Sequence, residues 1–478
     1  MRFNRIINCV GISCLALVYT SCSLPSSMVP RKEKKATPAS FYNSQDTVNT
    51  AKVKWKDFFT DPNLTALIDT ALRNNQELNI ILQEINIAKN EVRGRKGEYL
   101  PFVSAGGVVG VDKASRFTRA GSVDATNEIA PGKSFPDPLP DLLLAANVSW
   151  QADIWGKLRN AKRAATFRYL STTQGKNFMV THLIAEIANS YYELMALDNQ
   201  MEILKRQIEI QTNALEIVRL QKIAAKVTEL AVRRFEAEAL KNQSRIYYIE
   251  QNIRVTENRI NFLVGRFPQT ITRNSTVFIY LKPDSISGGI PSQLLQNRPD
   301  IRKAELELAA TKLDVKSAKA NFYPLLNISG AIGLEAFSAS YFIKNPESFL
   351  YNLVGGLMQP LINRNGIKAM YYNANAKQIQ AVYNYERTIL KAYLEVANQL
   401  SNISNLKKSY KLKDQQVEAL TESIELSTRL FRSARADYME VLLTQRDAME
   451  SKFELVETKK QQMNAMVNIY QALGGGWK

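Results

Sequence analysis

The sequence predicts a mainly α, α+β membrane protein in which one structural unit occurs twice. Residues 71–110 and 294–333 align without a gap at an offset of 223 positions. Each copy passes from a helical pattern into alternating apolar and polar residues, and a long proline-free tract follows. A repeat of this length indicates that half of the chain was duplicated. Each half therefore contributes two strands and two long helices.

Identical residues mark corresponding points of the two halves. The steps Leu100-Pro101 and Tyr323-Pro324 end the helical pattern each time, so the alternating segments begin at the same place in both copies. The identical pairs are Asn74 and Asn297, Val92 and Val315, Pro101 and Pro324, Gly107 and Gly330, and Gly110 and Gly333.

The N-terminus has the features of a secretory signal. Two arginines precede an apolar run from Val10 to Tyr19, and small residues then lead to Cys22. The run is shorter than the roughly 20 residues of a transmembrane helix, so residues 1–21 are predicted to be removed. Cys22 is then the only cysteine of the mature chain, and its position resembles a bacterial lipobox, in which the thiol is acylated. Several acyl chains would anchor the protein to a membrane.

Charge and composition argue against several classes of function. The formal net charge is +17, but basic and acidic residues are interleaved along helical tracts, which is typical of solvated helix faces. The export signal and the lack of a basic–aromatic cluster argue against nucleic-acid binding. His182 is the only histidine, and with one mature cysteine it cannot build the usual zinc site or a nucleophile–histidine–acid set. We expect no enzyme activity, no cofactor and no metal.

Two pairs of strands are predicted, one in each half. The first pair consists of Phe102 to Val111 and Leu142 to Trp155, joined by a loop from Asp112 to Asp141 that is rich in proline and glycine. The second pair has a shorter loop, roughly Ala336 to Ser348, and ends with a strand from Phe349 to Leu361.

Alternation gives the predicted strands one apolar and one polar face. Leu144, Ala146, Val148 and Trp150 point one way, and polar residues point the other. In a soluble sheet the polar face would meet bulk water; in a membrane barrel the apolar face meets lipid and the polar face a lumen. Strands of about ten residues fit a tilted membrane span. The predicted lumen residues are Asn147, Ser149, Gln151, Asp153 and, through the repeat, Asn327 and Ser329.

Two long helical hairpins are predicted, one after each strand pair. The tract from Lys157 to about Ala225 contains no proline and corresponds to roughly 100 Å of helix. A return helix runs to about Val264, and the second half repeats the hairpin with a turn near Ala434 to Tyr438. Apolar residues recur every seven positions, as in the a/d seam of a coiled coil. The seam of the first helix is formed by Leu194, Leu197, Met201, Leu204, Ile208, Gln211, Leu215 and Val218.

These elements predict a division of the chain into ten segments. The predicted segments are a signal peptide (1–21), a lipid-anchored tether (22–54), a first helical segment (55–99), β-hairpin 1 (100–155), helical hairpin 1 (156–265), a linker (266–291), a second helical segment (292–322), β-hairpin 2 (323–363), helical hairpin 2 (364–473) and a tail (474–478).

Four strands cannot close a membrane barrel alone. The smallest membrane barrels have about eight strands, and open strand edges are not tolerated in lipid. If the strands span a membrane, the chain must therefore assemble with further copies, and three copies would supply twelve strands.

Several motifs resemble those of the TolC-like outer-membrane efflux factors, in the lipoprotein OprM/NodT branch. The segments NRPDIR and LGGGW in this order are the most specific, and matching segments occur over nearly the whole mature chain. The matching segments are WKDFFTDPNLTALI (55–68), WQADIWGKLRNA (150–161), NRPDIRKAELELAATKLDVKSAKANFYPLLNISG (297–330), AYLEVANQL (392–400) and ALGGGW (472–477).

The resemblance implies a homotrimer with a twelve-stranded outer-membrane β-barrel, continued by a periplasmic α-helical coiled-coil barrel. It also implies a lipid anchor in the outer membrane, docking to a periplasmic adaptor, and an inner-membrane pump of the RND type. The chain would be a passive exit duct of a tripartite efflux or secretion system, gated at its periplasmic tip. The alternative is a periplasmic, lipid-anchored coiled-coil adaptor or scaffold without a pore. Such adaptors have one helical hairpin, so the duplicated strands favour the duct.

The resemblance also indicates roles for the two helical turns. The family usually carries glycine where this chain has Ala225 and Ala434, which is either a plain continuation of the turn or a tip that opens differently. Arg435 and Asp437 are the gate candidates, because three copies of Asp437 near an axis would attract cations; the alternative is two ordinary solvent-facing charges. The predicted adaptor-docking residues are Ala225, Val227, Thr228, Glu229, Ala434, Tyr438 and Glu440.

Overall fold

The computed structural model describes most of the chain outside the N-terminus. Cys22, the predicted signal peptide (1–21) and Ala434 lie outside the described residues, and the ten-segment division remains a prediction. The described residues are 31–41, 50–282, 288–360, 362, 364–433 and 435–477.

The first half of the chain follows the predicted order of helices, strands and long helical hairpin. The helix that begins at Pro62 is capped by Asp61, whose side chain accepts hydrogen bonds from the backbone N–H groups of Asn63 and Leu64. The elements are α1 (Trp55–Phe58), α2 (Pro62–Asn74), α3 (Gln76–Tyr99), β1 (Phe102–Asp112), α4 (Arg119–Thr126), β2 (Glu128–Ala130), β3 (Lys133–Ser134), β4 (Leu139–Ala152), α5 (Lys157–Ile223) and α6 (Glu229–Val264).

The second half repeats this order. Short 3₁₀ helices at Thr50–Lys52, Ser275–Tyr280 and Pro291–Gln293 lie outside the repeated elements. The elements are α7 (Leu294–Asn297), α8 (Pro299–Ala320), β5 (Leu325–Ala336), α9 (Ala339–Phe342), β6 (Phe349–Met358), α10 (Asn365–Arg432) and α11 (Tyr438–Ala472). Helices α5 and α10 have 67 and 68 residues, so the predicted long helices are confirmed.

One compact unit contains Asn86–Leu170 and Leu306–Tyr383, and we call it the sheet unit. It holds an antiparallel sheet in the order β1-β4-β5-β6, so β4 and β5 join the two halves while β1 and β6 form the edges. The two hairpins have the same register, because Phe102 lies opposite Ser149 and their repeat equivalents, Leu325 and Met358, also lie opposite each other. The repeat is therefore preserved residue by residue.

The other compact unit contains Glu33–Ile85, Ser171–Glu305 and Asn384–Lys478, and we call it the helical unit. Its largest apolar cluster joins α2, α5, α6 and α11, with Leu64, Tyr191 and Ile260 fully buried. The predicted seam packs inward: Leu197 and Ile208 are half-buried against an apolar cluster, and the other six residues are buried, namely Leu194, Met201, Leu204, Gln211, Leu215 and Val218.

The helix ends of the two halves meet their partner helices in the same way. Gly265 and Gly474, 209 positions apart, both have positive φ, at 77° and 87°. A Cβ at Gly265 would lie 2.5 Å from the carbonyl oxygen of Asn74, and one at Gly474 would lie 2.6 Å from that of Asn297. The backbone conformation and the close approach both require glycine. The LGGGW segment therefore closes the second half onto the NRPDIR segment.

Three predicted boundaries were wrong. The loop predicted between the first two strands contains α4 and the small β2–β3 hairpin. The strand β4 begins and ends three residues before the predicted strand, at Leu139 and Ala152, and β6 ends at Met358.

None of the helices within the described residues is both long enough and apolar enough to cross a membrane.

Candidate functional sites: the polar sheet face and the helical turns

The sheet brings five of the predicted lumen residues to one face. Paired residues in an antiparallel ladder point to the same side, and Ser149 lies opposite Ser329 while Gln151 lies opposite Asn327. Asn147 shares their face because it lies two positions from Ser149 on β4. The grouping derived from the repeat is thus present in the sheet, and the lumen role of these residues remains a prediction.

The opposite face of the same sheet is apolar and exposed in the single chain. It carries Leu144 on β4, Ile332 on β5, and Leu353 and Leu357 on β6. Exposed apolar residues that line one whole face of a sheet mark a surface that meets lipid or protein rather than water. The division into a polar and an apolar face is therefore present on the central strands β4 and β5, whereas on the edge strands Val108 and Val354 also stand on the face of Asn147.

Asp153 was wrongly predicted to belong to the polar face. It follows the end of β4, and its side chain is only 1% exposed. Its carboxylate accepts hydrogen bonds from the backbone N–H groups of Leu158 and Arg159, at 3.0 and 2.9 Å, and pairs with the Arg159 guanidinium. Asp153 therefore caps the N-terminus of α5, where a negative charge is stabilised by unpaired N–H groups.

The first helical turn joins α5 to α6 through a left-handed residue. Ala225 has φ of 54°, and the Lys226 N–H donates to the carbonyl of Gln221 at 2.9 Å. This geometry is typical of a helix C-terminus closed by glycine, so alanine occupies a position that favours glycine. Thr228 is the N-cap residue of α6 and makes no side-chain capping hydrogen bond.

Charged and apolar side chains divide the surface of the first turn. Glu229 is exposed and pairs with Lys222 and Arg233, and the hydrogen bond from Lys222 lowers the pKa of the Glu229 carboxylate. Val227 is instead half-buried against the cluster of Leu215, Val218 and Phe235. Of the predicted docking residues here, Ala225, Thr228 and Glu229 are exposed, while Val227 packs inward.

The second turn is closed by a backbone hydrogen bond equivalent to that of the first turn. The Arg435 N–H donates to the carbonyl of Leu430 at 2.8 Å, as Lys226 does to Gln221. Asp437 is the N-cap residue of α11 without a side-chain capping bond. Arg435, Asp437 and Glu440 are exposed, whereas Tyr438 packs against Phe235 with ring centroids 6.4 Å apart. Within the single chain these two described residues, Arg435 and Asp437, form no ion pair with each other.

Sequence reasoning missed the residue that organises the NRPDIR segment. Arg298 is buried, and its guanidinium contacts Asp300 and Glu395, each at 2.7 Å, and donates to the carbonyl of Ala472 at 2.9 Å. Its repeat equivalent, Asn75, donates to the carbonyl of Leu263 at 2.8 Å. Ala472 and Leu263 are themselves equivalent, so the repeat itself was the available signal.

Comparison with known proteins identifies the class to which this fold belongs. The family model described as "Outer membrane efflux protein" matches residues 67–266 and 290–475, well over half of the chain. The chain therefore belongs to the outer membrane efflux protein family.

Relatives and solved structures agree with this assignment along nearly the whole chain. The pyoverdine export outer membrane protein OpmQ of Pseudomonas putida is 27% identical over 468 residues, covering 97% of this chain and 96% of OpmQ. The cation efflux system protein CusC of Escherichia coli is 25% identical over 471 residues, covering 97% and 98%. The open-state structure of the MtrE outer membrane channel of Neisseria gonorrhoeae is similar in fold, with a TM-score of 0.80 at 21% identity, covering 95% and 98%.

The family and the fold together define an efflux channel protein of the outer membrane. The alternative of an adaptor or scaffold without a pore is therefore not supported, and the predicted exit duct is confirmed at the level of the family.

Proposed function

We propose that three copies of this chain close a twelve-stranded barrel in the outer membrane and form the exit duct of a tripartite efflux system. The observation that carries the proposal is the four-stranded sheet with two edge strands, one exposed apolar face and an opposite face that is polar on the central strands. Unpaired strand edges are costly in hydrocarbon, and four strands are too few to close. Assembly satisfies the edges, places the apolar face against lipid and encloses the polar face.

The long helices of each copy form the periplasmic tunnel in this proposal, and the two turns dock a periplasmic adaptor. The adaptor connects the duct to an inner-membrane pump of the RND type, which supplies the energy. Exposed polar side chains at the turns, Thr228, Glu229 and Glu440, support a docking role, because a polar rim is typical of interfaces that form between separately folded proteins. Relatives with similar sequence identity to this chain are named for the efflux of pyoverdine, cations and solvents. This variety fits a pore lining with little selectivity for its substrates.

Asp437 and Arg435 are the proposed gate residues. Both are exposed at the second turn, and both are free of the packing that holds Tyr438. Three Asp437 carboxylates near a common axis would attract cations and repel one another, and in this proposal Arg435 pairs with Asp437 or with a neighbouring copy and holds the tip shut.

Cys22 is the proposed site of acylation, which would add a lipid anchor to the barrel. A Cys22→Ser variant should lose incorporation of labelled palmitate but keep its outer-membrane location, because the barrel spans the membrane independently. Loss of the outer-membrane location in this variant would show that the anchor is required for insertion.

Sedimentation in detergent and conductance in liposomes test the duct. We expect trimers that resist alkaline wash and permeabilise liposomes; solitary copies that never conduct would contradict the proposal.

Asp437→Asn should change cation block or leak, because it removes the charge while keeping the side-chain size. Glu440→Gln is the matched control, an exposed carboxylate three residues along, and an equal effect of both variants would remove Asp437 from the gate.

A further inference from the structure

The edge strands β1 and β6 carry enough information to define how two copies of the chain pair. Within each chain, β4 of the first half pairs with β5 of the second half. We propose that β6 pairs with β1 of a second copy in the register obtained by carrying the β4–β5 register across the internal repeat. This inference rests on the oligomeric duct proposed above and specifies its subunit interface.

The repeat converts the observed register into a residue map. Strand β4 corresponds to β6 at an offset of 209 positions, and β5 corresponds to β1 at an offset of 223, as the matching hairpin registers show. Asn147 lies opposite Ala331 within the chain. Their equivalents are Gly356 and Val108, so Gly356 lies opposite Val108 of the partner subunit.

Glycine positions on the two edges support this register. It sets Val354 opposite the partner's Gly110 and Leu357 opposite the partner's Gly107, while Gly355 lies opposite the partner's Val109. In this register no glycine lies opposite another glycine. Each glycine of one strand lies opposite a larger side chain of the other strand.

Neighbouring registers lose this complementarity. A slip of one residue exchanges the polar and apolar faces. A slip of two residues keeps the faces but sets Gly356 opposite the partner's Gly106 in one direction and opposite the partner's Gly110 in the other. Glycine pairs leave strands without side-chain contacts across the interface.

Glycine is sterically required at position 110 only if a strand of another copy packs against β1. Its equivalent, Gly333, lies against β4, where a Cβ would come within 2.3 Å of the carbonyl oxygen of Leu144. In the single chain, a Cβ at Gly110 would meet only the Cβ of Asp141, at 3.8 Å. A partner strand that approaches Gly110 as β4 approaches Gly333 explains why glycine stands at both positions.

The helical unit shows the same relation between its halves. Leu240 and Tyr247 on α6 are 58% and 73% exposed, whereas their equivalents on α11, Met449 and Val456, are both 2% exposed. Met449 packs in a cluster with Met201 and Leu204 of α5. A partner copy that covers α6 with its α10, the equivalent of α5, would bury these exposed apolar residues.

Disulfide formation in outer membranes tests the register. The chain has no cysteine after Cys22, so the double variant Gly356→Cys with Val108→Cys introduces one defined pair. No atom lies within 4 Å of a Cβ built at Gly356, so the edge accommodates the change. The control Asn147→Cys with Ala331→Cys places a pair at the equivalent position inside one chain. Gly356→Cys with Gly106→Cys and Gly356→Cys with Gly110→Cys report slips of two residues.

We expect covalent trimers on non-reducing gels from the Val108 double variant, about tenfold more than from either slipped pair, because diagonal neighbours exceed the reach of a disulfide. The register is wrong if a slipped pair cross-links equally well. It is also wrong if the internal control oxidises while the Val108 pair does not, in a protein that still sediments as a trimer and conducts. A wild-type protein that is monomeric and does not conduct would instead contradict the proposed function.

Discussion

The two halves of the chain share a backbone plan but hold their helix ends with different chemistry. In the first half the neutral Asn75 donates one hydrogen bond to the last turn of α6. In the second half Arg298 occupies the same place and adds ion pairs with Asp300 and Glu395. The comparison shows that the two halves share the backbone geometry at this helix end, while only the second half holds a buried charge there.

The largest expected effect comes from removing that charge. Arg298→Ala removes the guanidinium that donates to Asp300, Glu395 and the Ala472 carbonyl. Because both carboxylates are partly exposed and Glu395 keeps its ion pair with Lys391, the loss should be about 2–3 kcal/mol. The free energy of unfolding of the detergent-extracted protein, from denaturant titration, should fall by that amount. Asn75→Ala is the matched control in the first half and should cost about 1–2 kcal/mol. Equal losses would mean that the ion pairs add nothing to the backbone contact.

The start of α5 also differs between the halves. Asp153 caps α5, whereas the equivalent position before α10 holds Ile362. Asp153→Ala should lower the free energy of unfolding by about 1–2 kcal/mol and leave the conductance of the pore unchanged. Gln151→Ala, a change on the polar face of the strand, should keep stability within about 0.5 kcal/mol. If Asp153→Ala altered the conductance without lowering the stability, Asp153 would line the lumen instead of capping α5.

A buried lysine distinguishes α11 from α6. Lys459 is buried beside the Tyr410 ring, while its equivalent, Glu250, is exposed. Burial lowers the pKa of Lys459, so the unfolded chain binds this proton more tightly, and stability should rise as pH increases toward the usual lysine range.

Lys459→Met should therefore increase the free energy of unfolding at neutral pH, because it removes the cost of burying the charge, and the gain should shrink as pH rises. The exposed Lys205 gives the control variant Lys205→Met, for which we expect no such dependence. A loss of stability in Lys459→Met at every pH would show that the contact with Tyr410 outweighs the cost of burial.

Local patterns predicted most of the fold. The heptads of α5 depend on residues within a few positions of one another, and the repeat supplied the equivalence of the strands. Arg298 escaped prediction because its partners, Glu395 and Ala472, lie 97 and 174 residues away. The role of Asp153 was missed because the alternation of the strand continues in sequence beyond the point where the chain turns into a helix.

The smallest expected effect comes from the first helical turn, where substitutions at two adjacent residues can be compared. Ala225 has a left-handed backbone, which costs an L-residue about 1–2 kcal/mol. Replacing it with glycine relieves that cost but increases the freedom of the unfolded chain by about 0.4–1 kcal/mol. Ala225→Gly should therefore stabilise the turn by about 0.5 kcal/mol and slow amide hydrogen exchange at Lys226, whose N–H closes the turn. Ala224→Gly, one residue earlier, should have the opposite sign, because that residue has no left-handed backbone to relieve. Faster exchange at Lys226 in Ala225→Gly would show that alanine holds this tip in place.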